Sequence, residues 1–119
     1  MMAYPAWVNE FPGAVTVCAQ DGTILEMNDR AAETFKADGG RDLIGKNLLA
    51  CHSDTSREKV RNLLASHQKN VYTIEKKGVK KLIYQSPWFQ DGAYAGFAEL
   101  SLPIPEPMPH FNRDIPLTP

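Results

Sequence analysis

Residues 14–35 read AVTVCAQDGTILEMNDRAAETF: a strand, an Asp-Gly turn, a second strand and an Asn-headed helix. Val15 and Val17 alternate with Thr16 and Cys18, the period-two pattern of a half-buried strand. Asp21-Gly22 supplies the left-handed positions of a tight hairpin, and Thr23-Ile24-Leu25-Glu26-Met27 makes the return. Asn28 stands where a side-chain oxygen can accept from an unpaired amide in the first turn of the next helix.

Upstream, Tyr4, Trp7, Val8 and Phe11 fall on one face of a short helix that Pro12-Gly13 ends. This aromatic face has two readings, a lid on the chain's own sheet or a contact with a second copy. Downstream, Gly39-Gly40 breaks the chain, and Gly45 is expected to take a left-handed conformation that stops a turn of helix. Leu48, Leu49 and Cys51 are expected to point a short helix inward. Thr55-Ser56-Arg57-Glu58 has the capping-box pattern and predicts a longer helix with Val60, Leu63, Leu64 and His67 as its apolar stripe. Three strands follow, over residues 71–76, 82–89 and 94–102, separated by Lys77-Gly78 and Asp91-Gly92. Tyr72 and Ile74 should share a face of the first. Pro87 removes one ladder donor and is expected at a bulge or an edge-facing position.

The order strand, strand, helices and three strands is α+β, not a βαβ alternation. One core suits 119 residues, and 43% hydrophobic with 23% charged residues is ordinary for a globular chain. A net charge of −1 argues against binding nucleic acid by phosphate neutralisation. No apolar run is long enough to span a membrane, and the N-terminal residues lack the pattern of a signal peptide. Two cysteines, Cys18 and Cys51, form no disulfide framework, and a cytoplasmic location is expected. From residue 103 onward prolines alternate, which disfavours helix and predicts an extended tail.

The Asp21-Gly22 hairpin, the Asn28-headed helix and the Asp42-Leu43-Ile44-Gly45-Lys46 run together resemble a PAS domain over residues 13–103. The resemblance implies a five-stranded antiparallel sheet in the order 2-1-5-4-3, with short helices and one longer connecting helix on one face. Residues 1–12 would then be a helical lid or dimer segment, and residues 104–119 a Pro-rich tail. It further implies a sensory module without catalytic activity, working as a homodimer or through a signalling protein in trans. The alternative is a ligand-free dimerisation or adaptor module with a filled core. A pocket between sheet and helices would draw on Val17, Ile24, Phe35, Leu48, Leu49, Leu64, Tyr72, Ile83, Gln85 and Phe97, with Tyr72 and Gln85 as polar handles for a small-molecule ligand.

Cys51-His52 is the pair with the most chemistry to offer, as metal or haem ligand or activated nucleophile. Adjacent residues do not readily present both side chains to one metal, and no Cys-x-x-Cys or His-x-x-x-His spacing supports zinc. The plain alternative is a buried thiol beside a hydrogen-bonded imidazole. By resemblance, His67 or His52 is the candidate for holding haem iron, although His67 comes late in its helix, where it also suits the dipole. Flavin photochemistry of the LOV type needs an Asn-Cys-Arg-Phe-Leu-Gln stretch. Here Asn47 is followed by Leu48-Leu49-Ala50-Cys51-His52, so that chemistry is rejected. Lys76, Lys77, Lys80 and Lys81 crowd one hairpin, either as a solvated turn or as a dock for an acidic partner.

Overall fold

The structure, a computed structural model, describes residues 5–51 and 53–114. Five strands form one antiparallel sheet: β1 (Ala14–Ala19), β2 (Ile24–Met27), β3 (Asn70–Lys76), β4 (Val79–Gln90) and β5 (Ala93–Pro103). Their spatial order is β2-β1-β5-β4-β3, so the first and last strands of the chain pair at the centre. Helices α1 (Ala6–Asn9), α2 (Asp29–Thr34) and α3 (Asp54–Ser66) complete the fold, with 3-10 turns at Lys36–Asp38, Gly40–Leu43 and Leu48–Cys51.

Turn chemistry sets the hairpins. Lys77 and Gly78 both have positive φ, as do Asp91 and Gly92, the pattern whose twist suits a two-residue connection. β4 runs on past the end of β3, whose Asn70 pairs with Gln85, so Pro87 lies where one side of β4 is an edge. The register with β5 then shifts between Trp88 and Phe89. Both features meet the expectation for Pro87.

Asn28 ties the first half together. It is fully buried, and its Oδ1 accepts from the Ala31 amide at 3.0 Å, capping α2, and from the Val15 amide at 2.9 Å. Its Nδ2 donates to the Gly13 carbonyl at 2.8 Å and the Val8 carbonyl at 3.0 Å. One amide side chain thus satisfies four backbone groups from the end of α1, the start of β1 and the first turn of α2.

Several local expectations are corrected. The N-terminal helix is shorter than its aromatic pattern, spanning Ala6–Asn9; Trp7 is 70% exposed and Tyr4 lies outside the described residues. The phase of β1 is inverted. Ala14, Thr16 and Cys18 face the helices while Val15 and Val17 take the opposite face, because the buried Cys18 pairs with Phe97. The long helix is capped by Ser53, whose hydroxyl accepts from the Ser56 amide at 3.4 Å, two residues before the expected cap. The serine wins because the chain is still extended there. His67 is not on the apolar stripe: it is the C-cap in a left-handed conformation, φ 53°, and stacks on Tyr94 at 3.7 Å between centroids. Beyond β5, Ile104 donates to the Lys80 carbonyl at 2.8 Å and Glu106 pairs with Lys80, so one lysine of the basic hairpin is engaged by the tail.

The core divides in two. Ala14, Ile24, Met27, Ala31 and Leu43 pack where α2 meets β1 and β2, whereas Cys18, Leu64 and Phe97 make a smaller group where α3 meets the sheet. Burying a side chain such as Met27 or Ile24 contributes roughly 1.5–3 kcal/mol, so the first group anchors the fold. The second is thinner, and it borders the candidate site.

Candidate functional site

Between the helix-facing side of the sheet and the helices lies a cavity of about 560 Å³, large enough for a drug-sized ligand. Thr16, Cys18, Tyr72, Gln85, Phe97 and Glu99 supply its floor, and antiparallel register puts them on one face. Phe35, Leu43 and Leu48 form one wall, and Val60, Leu63 and Leu64 of α3 form the other. Leu64 is the only residue of α3 that is buried. That helix is fastened at its ends instead: Arg57 Nε donates to the Leu49 carbonyl at 2.8 Å, and the Tyr94 hydroxyl donates to the Leu64 carbonyl at 2.9 Å. On the other flank every residue of β3 is exposed, Tyr72 at 43%. The space persists beside a narrow contact, because α3 meets Cys18 and Phe97 through buried Leu64, with Val60 and Leu63 only partly buried against them.

The floor carries a polar row across three strands. Asn70 Nδ2 donates to Gln85 Oε1 at 2.8 Å, and Gln85 Nε2 donates to Glu99 Oε1 at 2.7 Å. Thr16 is the register partner of Glu99 on β1. The fixed orientation of Gln85 leaves Glu99 as an acceptor near the middle of a mainly apolar wall. Burial pushes the Cys18 thiol up from its ordinary pKa, with Asp21 and Glu99 adding to the effect and a hydrogen bond to the Phe97 backbone opposing it. Burial also raises the Tyr72 phenol, and the negative charge of Glu99 raises it further.

Of the residues expected here, Ile24, Phe35, Leu48, Leu64, Tyr72, Gln85 and Phe97 all line the cavity. Val17 does not, being on the other face of the sheet. Leu49 turns to a shallow depression shared with His67 and Tyr94, because Asn47 Oδ1 holds its amide in a tight turn at 2.8 Å. Ile83 is buried on the cavity side of β4 but is not among the lining residues. His52 and the side chain of Cys51 lie outside the described structure.

Thr16, Cys18, Met27, Val60, Leu63 and Glu99 line the cavity without having been singled out for it. Glu99 was readable: it lies two residues beyond Phe97 on one strand, so alternation puts both on the same face. Among the described residues, no histidine lines the cavity, and no group of three His, Cys, Asp or Glu side chains could hold a metal ion. His67, stacked on Tyr94, does not fit the role of a haem ligand in this cavity.

No family model and no curated protein sequence matches the chain. Solved structures do. The PAS domain of an HTR-like protein from Haloarcula marismortui superposes with a TM-score of 0.58 at 18% identity, covering 83% of this chain and 92% of that one. The PAS domain of BvgS from Bordetella pertussis gives 0.57 at 18% identity, covering 84% and 82%. The Aer2 receptor from Vibrio cholerae, described as a dual PAS-heme oxygen sensor, gives 0.56 at 15% identity, covering 78% and 95%. Among the described residues no helix is long and apolar enough to cross a membrane. With its sheet order and these likenesses, the chain has the fold of a PAS domain.

Proposed function

We propose that the chain is a sensory module that binds a small molecule between sheet and helices and passes the signal to a second copy or a protein partner in trans. The observation that carries this reading is the 560 Å³ space beneath a helix with one buried residue. Well-packed interiors leave few voids larger than a water molecule. An occupant that packs against Leu64 and Phe97 draws α3 toward the sheet, and that differential contact is what a population shift requires.

Residues 13–103 would form the sensory domain and residues 104–119 the tail. The output surface would be the opposite face of the sheet, where half-buried Val15, Val17, Tyr84 and Leu100 lie in register, together with the exposed Trp7 and Phe11 of the N-terminal segment. Homodimerisation through that surface follows from its apolar character.

Native mass spectrometry and an absorption spectrum of the protein purified without denaturation test the reading. A mass above the 13.3 kDa chain that disappears on denaturation is the expected result. A bare chain whose α3 amides exchange as slowly as those of β5 would instead indicate a filled interior and the adaptor role.

A further inference from the structure

The chemical class of the ligand can be narrowed from the charges that face the cavity. Of the described lining residues, none is lysine, arginine or histidine, whereas Glu99 sits on the floor and Asp38 at an exposed position of the lining. Glu99 is half-buried, and among the described residues the single hydrogen bond to its side chain is the one that Gln85 donates to Oε1 at 2.7 Å. Gln85 is held in this orientation by the bond its own Oε1 accepts from Asn70 at 2.8 Å, and no bond from it to the second oxygen is formed. No ion pair neutralises Glu99 among the described residues. Burial raises the Tyr72 phenol on the same floor, and the charge of Glu99 raises it further. A half-buried carboxylate in a mainly apolar cavity gains from a partner on its open oxygen, and among the described residues no side chain other than Gln85 donates to it.

Resting on the ligand-binding reading above, we propose that the cavity selects amphipathic cations. The ligand would have an aromatic or aliphatic body against Leu48, Leu64 and Phe97 and a protonated nitrogen that donates to Glu99 Oε2. A carboxylate of the same shape would be repelled, since attraction and repulsion across a low-dielectric pocket are both large.

Calorimetric titration of the full chain with naphthylmethylammonium, naphthylmethanol and naphthoate tests this, because the three share a body and differ in charge. The cation should bind about tenfold or more tighter than the anion, with the alcohol between them. Glu99→Gln, which can still accept from Gln85, should weaken the cation about tenfold and leave the alcohol within about twofold. In the unmodified protein, transferred NOEs from the probe's methylene protons to the Glu99 side chain give the same answer without a variant. Equal or tighter binding of the alcohol or the anion would overturn the charge selection while leaving a ligand-binding cavity in place. An unchanged cation affinity in Glu99→Gln would overturn it as well. Failure of all three probes would overturn this inference, while a small molecule lost from the native mass spectrum would still uphold the sensory reading.

Discussion

The Trp88 indole Nε1 donates to the Cys18 carbonyl at 2.9 Å, joining β4 to β1 across the intervening β5. Trp88 is on the side of the sheet away from the helices, while the Cys18 side chain lines the cavity on the other side. The indole can cross β5 because its register partner there is Gly96. This places a single hydrogen bond between the candidate site and the candidate output surface.

Gly96 is the weak point of that crossing. Its φ is 147°, and a Cβ there would run into the Cys18 carbonyl and the Ala19 backbone. Gly96→Ala should therefore destabilise the protein by about 2–4 kcal/mol, read from the urea midpoint. Trp88→Phe, which keeps the ring and loses the donor, should cost only about 1 kcal/mol. A Gly96→Ala protein as stable as the parent would mean that β5 does not approach β1 as described.

The buried amide of Asn28 makes a second prediction. Asn28→Ala strips the partners from two amides and two carbonyls at once, for an expected loss of about 3–4 kcal/mol. Asn28→Asp keeps the two acceptor contacts but turns an oxygen on the carbonyls of Gly13 and Val8, so it should unfasten α1 while α2 stays capped. Hydrogen exchange resolves the two cases: faster exchange confined to the α1 amides in the aspartate variant, and in both α1 and α2 in the alanine variant.

Alkaline pH should weaken the fold. The Cys18 thiol and the Tyr72 and Tyr94 phenols are all raised in the native state, each chiefly by burial. A raised acid binds its proton more tightly when folded, so above its unfolded pKa the unfolded chain carries fewer protons and stability falls with pH. The decline should begin as pH passes 9.0, the ordinary thiol value, and continue through 10.0, the ordinary phenol value. Urea denaturation at stepped pH measures it. Cys18→Ala should remove the earliest part of the slope.

Tyr94 holds the far end of α3. Tyr94→Phe removes the 2.9 Å hydrogen bond to the Leu64 carbonyl but keeps the ring that stacks on His67. The cost to global stability should be about 1 kcal/mol. Amide exchange in the last turn of α3 should accelerate more than that in β5, because the rest of the helix has little burial to hold it. Uniform acceleration would contradict the account of a loosely seated helix.

The parts of the fold that were legible in the sequence are those written in backbone chemistry. Gly22, Lys77-Gly78 and Asp91-Gly92 take left-handed turns, and Asn28 demands a helix start, so the hairpins and α2 followed directly, whereas the sheet order came from the resemblance to PAS domains. The phase of β1 was not legible, because Val15, Val17, Thr16 and Cys18 offer comparable β-branched or apolar bulk on both faces. Only the pairing of Cys18 with Phe97 decides it. The cap of α3 was ambiguous for a similar reason: Ser53, Thr55 and Ser56 can all accept from a free amide. Within the site, the apolar wall was read from α3 periodicity and strand alternation, whereas the polar row of Asn70, Gln85 and Glu99 depends on register between three strands, which no single segment encodes.

The central claim is that the cavity is a ligand site whose occupancy is felt on the far side of the sheet. Two tryptophans, Trp7 and Trp88, give two indole N–H signals in an ¹⁵N-labelled sample. Titration with the naphthyl probes should move the Trp88 signal in step with the amides of Leu48, Leu64 and Phe97, and leave the exposed Trp7 signal in place. Cavity amides and Trp88 that stay fixed throughout the titration would contradict it.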